Sequence, residues 1–297
     1  MTSCLICGSS NLKKTKTKMS DFLVAKIYGE DAVSTGIEVN LCYCDNCSFS
    51  FYDKRLTDNE EVKLYSGYRG EDYQSLREKY ECWYTKKVNE AMNNDETALR
   101  EQQRVILKMM QKFINKPIRT GLDFGGNHGS TFCEDFQIQN QYVYDVSGVE
   151  TISGVYGISS FEELRNFSFD FIMCNMTLEH VMDPFTFTKT LYDIGGPGTY
   201  YYVEVPSESP FCKNKFSISK NIELLFNPTY DNFKLIKYYL EKRKQPYMPM
   251  HEHVNFFTPK SLRALLEKTG LKVLDVQENF EKAVLGKSLV LSAFCKK

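Results

Sequence analysis

The sequence predicts an α/β chain with a seven-stranded, mostly parallel sheet whose last strand runs antiparallel, preceded by a small cysteine-bearing unit. Three observations carry that expectation. Strand-like apolar runs alternate with helical or turn segments through the C-terminal two thirds of the chain, and such alternation packs as helices on both faces of a parallel sheet. One of these runs ends at Phe124 and opens directly into a glycine-rich turn, Gly125-Gly126-Asn127-His128-Gly129. Two Cys-x-x-Cys pairs, Cys4/Cys7 and Cys44/Cys47, fall within the first sixty residues, and two such pairs make a closed four-thiolate structural zinc site.

The elements follow in order. Between the cysteine pairs, the alternation Ile37, Val39, Leu41 marks a short strand, and the glycine after Cys7 suits a tight knuckle turn. The first unit, 1–60, therefore reads as a zinc ribbon. Residues 61–116 read as a helical cap or lid region, and 117–297 as the α/β domain with a helical insert at 207–250. Residues 95–115 place Ile106, Met109, Met110 and Phe113 on one helical face, and Lys116-Pro117 ends that helix. Strands are expected at 118–124, 141–145, 155–157, 169–174, 199–205, 272–276 and 288–294, with helical crossovers. Another helix takes Thr258 as N-cap and Pro259 as its first residue, turns Leu262, Leu265 and Leu266 inward, and stops at Gly270. The last two strands have no crossover helix between them and should pair antiparallel at a sheet edge.

Composition narrows the function classes. Of 297 residues, 42% are apolar and 25% charged, ordinary values for a globular domain. A net charge of −1 and a pI near 6.5 give no general attraction to polyanions. The basic run Lys13 to Lys18 is the exception and reads as a solvated loop. No signal peptide and no long apolar run is evident, so a cytoplasmic protein without a membrane span is expected. In that setting the ten cysteines are thiols or metal ligands rather than disulfides.

The glycine turn does not follow the G-x-G-x-x-G spacing of a pyrophosphate clamp. Gly125, Gly126 and Gly129 give G-G-x-x-G, with Asn127 where the second glycine would stand. Asparagine tolerates left-handed backbone angles, so the turn survives. Some twenty residues on, Asp145 ends the next strand, where a carboxylate can accept both ribose hydroxyls of a nucleoside. The ligand expected is a nucleoside without a clamped pyrophosphate.

At these residues the chain resembles the class I S-adenosylmethionine-dependent methyltransferases. Asp123-Phe124-Gly125-Gly126-Asn127-His128-Gly129 looks like the family's first motif, and Leu178-Glu179-His180-Val181-Met182-Asp183-Pro184 like the segment after its fourth strand. "GGPGTYYYVEVP" resembles the turn and fifth strand, and "HEHVNFFTPKSLRALLEKTGLKV" the segment that follows in many sugar and small-molecule members. The resemblance covers roughly residues 65 to 295 and implies a Rossmann-like fold, S-adenosylmethionine as cofactor, and Asp145 on its ribose. The ribbon ahead of the domain is similar to that of sugar methyltransferases of antibiotic and surface-polysaccharide pathways, including the C-methyltransferases of nucleotide-linked deoxysugars. Those carry a further C-terminal domain that this chain is too short to contain. O-methylation of a sugar, nucleotide-linked or in a surface glycan, fits the size at least as well.

Methyl transfer is an in-line displacement, so the protein must align the acceptor, take its proton and exclude water. Alignment supplies about 7–11 kcal/mol, and a general base about 10² to 10⁴ in rate. A sugar hydroxyl is a poor acid, which points to histidine. The four histidines, His128, His180, His251 and His253, all fall in the motif segments. His253 is expected as base, His180 as a substrate-positioning group or alternate base, and Glu252 as orienting group or sugar ligand. The Glu252-His253 pair also matches a pair used by the sugar C-methyltransferases. His251 reads as structural, and His128 as structural or a cofactor contact. Aromatic residues crowd 65–84; there Tyr68 or Tyr84 would line the transfer pocket and Arg69 would pair with the cofactor carboxylate. Phe161 would flank the adenine, and Asn175 and Met176 would lead from the fourth strand toward the reacting centre. In the insert, read as a plain helical elaboration, a dimer contact or a substrate lid, Lys242, Arg243 and Lys244 would meet a phosphate-bearing substrate.

Two other classes compete. A nucleic-acid methyltransferase of the amino-directed type resembles its relatives in an Asn/Asp-Pro-Pro-aromatic run. Here that place reads Cys174-Asn175-Met176-Thr177, and no Pro-Cys dipeptide of the cytosine C5 type occurs. The charge balance also gives little footprint for RNA. A non-catalytic cofactor-binding protein that docks a partner through its ribbon would bind the cofactor without turnover.

Overall fold

The computed structural model describes residues 1–147, 149–211, 227–242 and 247–297, with the backbone alone for 238–242. Its strands are β1 (Leu12–Lys18), β2 (Glu38–Cys44), β3 (Ser50–Tyr52), β4 (Thr120–Phe124), β5 (Asn140–Tyr144), β6 (Val155–Ile158), β7 (Phe171–Asn175), β8 (Tyr200–Pro206), β9 (Asn255–Phe256), β10 (Lys272–Ala283) and β11 (Gly286–Lys296). Seven of them form the large sheet in the order β10-β11-β8-β7-β4-β5-β6. The pairs among β6, β5, β4, β7 and β8 are parallel, while β11 is antiparallel to both β8 and β10. Central strands buried on both faces have to be apolar throughout, which is why Phe171, Ile172, Met173 and Cys174 run without alternation.

The described helices are α1 (Asp21–Tyr28), α2 (Asp58–Tyr65), α3 (Glu71–Tyr80), α4 (Lys86–Asn93), α5 (Glu96–Phe113), α6 (Pro184–Ile194), α7 (Asn232–Lys242) and α8 (Pro259–Lys268). On one face of the large sheet, α5 buries Val105, Ile106, Met109 and Met110 with Phe132, Phe136 and Phe294. On the other, α6 and α8 bury Leu191, Leu262, Leu265 and Leu266 against Leu122, Ile172 and Val203. Asp95 caps α5 by accepting from the Ala98 amide, and Thr258 caps α8 by accepting from Ser261. The three-layer expectation holds, with one correction. Among the described residues, only the β7 to β8 crossover carries an α-helix; β4 to β5 and β6 to β7 have 3₁₀ turns at Glu134–Phe136 and Glu163–Asn166. Beside them Tyr142 packs on Phe167 at 4.7 Å and on Tyr156 at 5.6 Å.

A second, four-stranded sheet runs β1-β2-β3-β9. The basic run is not a loop: residues 13–18 form β1, paired antiparallel along its length with β2. Its lysines stand on an edge strand, where charge blocks pairing with another chain. The fourth strand comes from far along the sequence: Asn255 and Phe256 pair with Phe51 and Ser50. Residues 212–226 and 243–246 of the insert, and so Arg243 and Lys244, lie outside the described residues, as does the side chain of Lys242.

Asn255 joins the two sheets. Its Nδ2 donates to the carbonyls of Leu178 at 2.8 Å and Val181 at 2.7 Å, and its Oδ1 accepts from Arg55 at 2.9 Å. The residue is 2% exposed, and Asn255→Ala strands one buried carbonyl, at about 1–3 kcal/mol, and two part-buried partners that water reaches in part. The variant should lose about 2–4 kcal/mol, read as a lower urea midpoint at unchanged slope.

Candidate functional site

The carboxyl ends of β4, β5 and β7 open into one cleft of about 1870 Å³. Drug-sized ligands fill roughly 300–1,000 Å³, so the cleft has room for two molecules side by side. One end lies at the glycine turn. Gly125 has φ +79°, and a Cβ there would stand 2.8 Å from Thr177 Oγ1. A Cβ on Gly126 would come within 2.2 Å of Asp123 Cγ, and Gly129, at φ +84°, packs against Val155. Asn127 holds φ +53°, the left-handed angle expected of it. The turn lies back on Asp145: Asn127 N–H donates to Asp145 Oδ2 at 2.9 Å, and Ser147 N–H donates to Oδ1 at 2.8 Å. Each carboxylate oxygen keeps a second lone pair, enough for two adjacent hydroxyls.

Asp123 sits beneath this turn, fully buried, and neither carboxyl oxygen has a well-aligned donor. Burial raises it to about 7, against the nearby Thr131 hydroxyl and with a push from Asp145. Asp123, Gly126 and Gly129 therefore shape the turn from behind and do not line the cleft, whereas Gly125, Asn127 and Asp145 do. Phe161 is also set back, with its ring 6.3 Å from that of Tyr144, and of these two rings Tyr144 lines the cleft. Tyr84 is fully buried and bonded to Asn89, which leaves Tyr68 as the lining member of that pair.

The other end is built from the loop after β7, the segment 250–256 and the cap helices. Met176 leaves β7 at φ +48°, and the buried amide of Asn175 has no hydrogen-bond partner. His180 Nδ1 lies 3.1 Å from the Glu252 carbonyl and 3.2 Å from the Tyr65 hydroxyl. Its ring meets that of His253 edge to face at 4.8 Å. Glu179 completes the group: one carboxylate oxygen of Glu179 and one ring nitrogen of each histidine all lie within 4.8 Å of one another. His253 Nδ1 bonds Glu208 Oε2 at 2.7 Å. Glu252 is held otherwise, by Tyr73 and by Arg77, whose guanidinium stands 3.2 Å from Oε2. His251 bonds Glu81 and stacks on Phe22 at 5.8 Å.

The charges divide accordingly. Burial, with His253 beside it, drives His180 down to about 3, so it stays neutral. Burial would also lower His253, but the bonded Glu208 carboxylate, with Glu179 and Glu252, raises it to about 9. Burial lifts Glu179 and Glu252 to about 7. Arg69 lines the cleft at φ +57°, stacked over Tyr68 at 5.1 Å; its buried Nε has no partner. Arg69, Asn127 and Met176 are three of the five described non-glycine residues with positive φ, and backbone strain of this kind concentrates at functional sites.

Three lining residues had little signal in the sequence. Glu179 stood inside a motif with no assigned role, Tyr65 was one of many aromatics, and Glu208 follows β8 in an ordinary serine-rich turn. All three are brought in by contacts across more than forty positions of chain. His128 lies in the turn as expected, its carbonyl accepting from Ile152.

Away from the cleft, Cys4, Cys7, Cys44 and Cys47 bring their sulfurs within 4.8 Å of one another. Cys4 to Cys47 and Cys7 to Cys44 are each 3.5 Å. Zn–S bonds of 2.3 Å in a tetrahedron need S···S edges of about 3.8 Å, so the four thiols fit zinc with little adjustment. Cys42 is buried outside this group.

A family model described as a methyltransferase domain matches residues 94–276. No curated protein matches the chain. Solved structures similar to it include 1,6-didemethyltoxoflavin-N1-methyltransferase from Burkholderia thailandensis, at 14% identity and TM-score 0.48, covering 87% of this chain and 96% of that one. The N-methyltransferase NodS from Bradyrhizobium japonicum WM9 is 12% identical at TM-score 0.40, covering 69% and 89%. Magnesium protoporphyrin IX methyltransferase from Synechocystis PCC 6803 is 13% identical at TM-score 0.39, covering 70% and 86%. The chain belongs to the methyltransferase-domain family and is an enzyme of that class. Among the described residues no helix is long and apolar enough to cross a membrane.

The turn geometry is open to a direct check. Gly126→Ala forces a Cβ into the buried Asp123 carboxyl, an overpacking of about 1–3 kcal/mol, and should lower Tm by several degrees. Gly196→Ala, which meets open space, should leave Tm unchanged.

Proposed function

We propose that this methyltransferase uses S-adenosylmethionine to methylate a sugar hydroxyl, in a nucleotide-linked sugar or a surface glycan, with His253 as the proton acceptor. The observation that carries the reading is that Asp145, whose carboxylate keeps lone pairs free for a diol, and the His180–His253 pair line the same cleft. When bound, the cofactor supplies an activated sulfonium methyl. Asp145 then takes the ribose hydroxyls on its free lone pairs. Gly125 and Asn127 bring backbone close to the nucleoside, and Arg69 offers its unpartnered guanidinium nitrogen to the cofactor carboxylate. Asn175 and Met176 line the cleft where β7 ends.

At the acceptor end, His180 stays neutral and positions the acceptor, while Tyr65 and the Glu252 carbonyl fix its ring. Glu252 itself is committed to Arg77 and Tyr73. Its part is to hold the cap helix α3 over the site and add negative charge beside His253. The base form of His253 accumulates as pH rises through about 9, so turnover should increase toward alkaline pH. C-methylation of a sugar carbon would use the same groups to draw a proton from carbon. The cysteine cluster supports a structural zinc with no open position, whose role is to fold the small sheet.

Two variants separate the roles. Asp145→Ala should weaken cofactor binding about tenfold or more in calorimetry. His253→Ala should leave cofactor binding intact and cut turnover about 10²- to 10⁴-fold. Full turnover in both would refute the assignment. Native mass spectrometry should find one zinc per chain, absent in Cys44→Ser.

A further inference from the structure

We propose that Glu208 is a positioning residue for His253, fixing its ring so that Nε2, and not Nδ1, is presented to the acceptor. Its consequence for turnover rests on the methyl-transfer reading above; its geometry does not.

The two imidazole nitrogens are distinct, and the partner of one decides what the other can do. Glu208 Oε2 lies 2.7 Å from Nδ1, the length of a charge-assisted bond, so Nδ1 carries the proton. With Nδ1 taken by Glu208, Nε2 is the nitrogen left to accept a proton, on a ring that has one nitrogen within 4.8 Å of Glu179 and His180. Glu208 is itself well placed to hold a direction. The residue before it is pinned where β8 leaves the sheet: Ser207 N–H donates to the Leu289 carbonyl at 2.8 Å and its hydroxyl donates to Glu278 at 3.0 Å. His253 is equally constrained from its own side, because Val254 N–H donates to the Glu179 carbonyl at 2.8 Å. The carboxylate and the ring are thus delivered by two separate, anchored segments, and their bond is the link between them.

The charged groups around the ring come from every neighbouring segment. Glu208 arrives from the end of β8, Glu179 and neutral His180 from the loop after β7, and Glu252 from the same segment as His253. Arg69 of the cap acts on His180 and Glu252. Three carboxylates against one half-buried ring favour the imidazolium, and Glu208 is the one in direct contact. Glu208→Gln keeps an oxygen that can accept from Nδ1–H but removes the charge. Glu208→Ala removes both.

The test is an imidazole ¹⁵N titration of the full chain, with His253→Ala used to assign the signal, alongside turnover against pH. In the parent protein His253 should titrate near 9 as the Nδ1–H tautomer. Glu208→Gln should lower that midpoint by about one unit or more, with the alkaline limb of turnover moving in parallel and the cofactor KM unchanged. Glu208→Ala should in addition lower kcat about tenfold. An unmoved His253 midpoint in both variants, or a parent ring protonated at Nε2 at high pH, would overturn the proposal. Because the titration needs no substrate, a shifted midpoint without sugar methylation would uphold the pairing and reject the function. Sugar methylation with an unmoved midpoint would do the reverse.

Discussion

The site depends on how the segment from Met250 to Phe256 is pinned. Met250 N–H donates to the Lys18 carbonyl, and its own carbonyl accepts from Ser20, both at 2.8 Å. Four residues later, Val254 and Asn255 both donate their amides to the Glu179 carbonyl. Phe256 and Asn255 then extend the small sheet beyond β3. Between these anchors stand His251, Glu252 and His253, three adjacent side chains with three different partners. The segment leaves them little freedom, because each anchor is a backbone bond to a different part of the chain. It also explains why a small sheet at the N-terminus matters to a cleft in the α/β domain: β3 sets the position of β9, and β9 follows directly on the histidines.

Electrostatics at the histidine end follows from that placement. Two histidines with rings in contact do not carry equal charge, because a second imidazolium beside the first is repelled and because burial penalises both. The carboxylates decide which is charged. His253 has Glu208 in contact, while His180 Nδ1 has a neutral carbonyl and a tyrosine hydroxyl, so the proton resides on His253. Environments that push like groups apart in pKa assign distinct acid–base roles. The glycine turn obeys a steric counterpart of the same logic. Asp123 occupies the space a Cβ would need at residue 126, so the motif's acidic residue and its glycine are packed against each other, and neither need touch a ligand to be required.

Much of this was legible in the sequence, and the part that was not has a common cause. Helices 96–113 and 259–268 announced themselves through apolar periodicity and through Asp95, Thr258 and Pro259 at their starts. The strands of the parallel sheet showed as short apolar runs, and the antiparallel pair at the end as two runs without a helix between them. Local signals also placed Asn127 in a left-handed turn and Asp145 at a strand end. What stayed hidden depends on contacts between distant residues: β9 joining β3, Glu208 meeting His253, Tyr65 meeting His180. The lysine run misled because an edge strand and a solvated loop share a composition, and only pairing with β2 distinguishes them. The crossovers misled because short 3₁₀ turns stand at 134–136 and 163–166, where helices usually connect parallel strands.

The central claim is that one cleft holds a methyl donor at its Asp145 end and a sugar acceptor at its histidine end. The measurement that tests it most directly follows S-adenosylmethionine carrying a carbon-13 methyl, incubated with the protein and an extract of sugar nucleotides and glycan precursors, with and without RNA. A labelled methoxy signal in a sugar, lost in His253→Ala, is the result the account predicts. Label that appears only in RNA, or a labelled sugar formed equally well by His253→Ala, would contradict it.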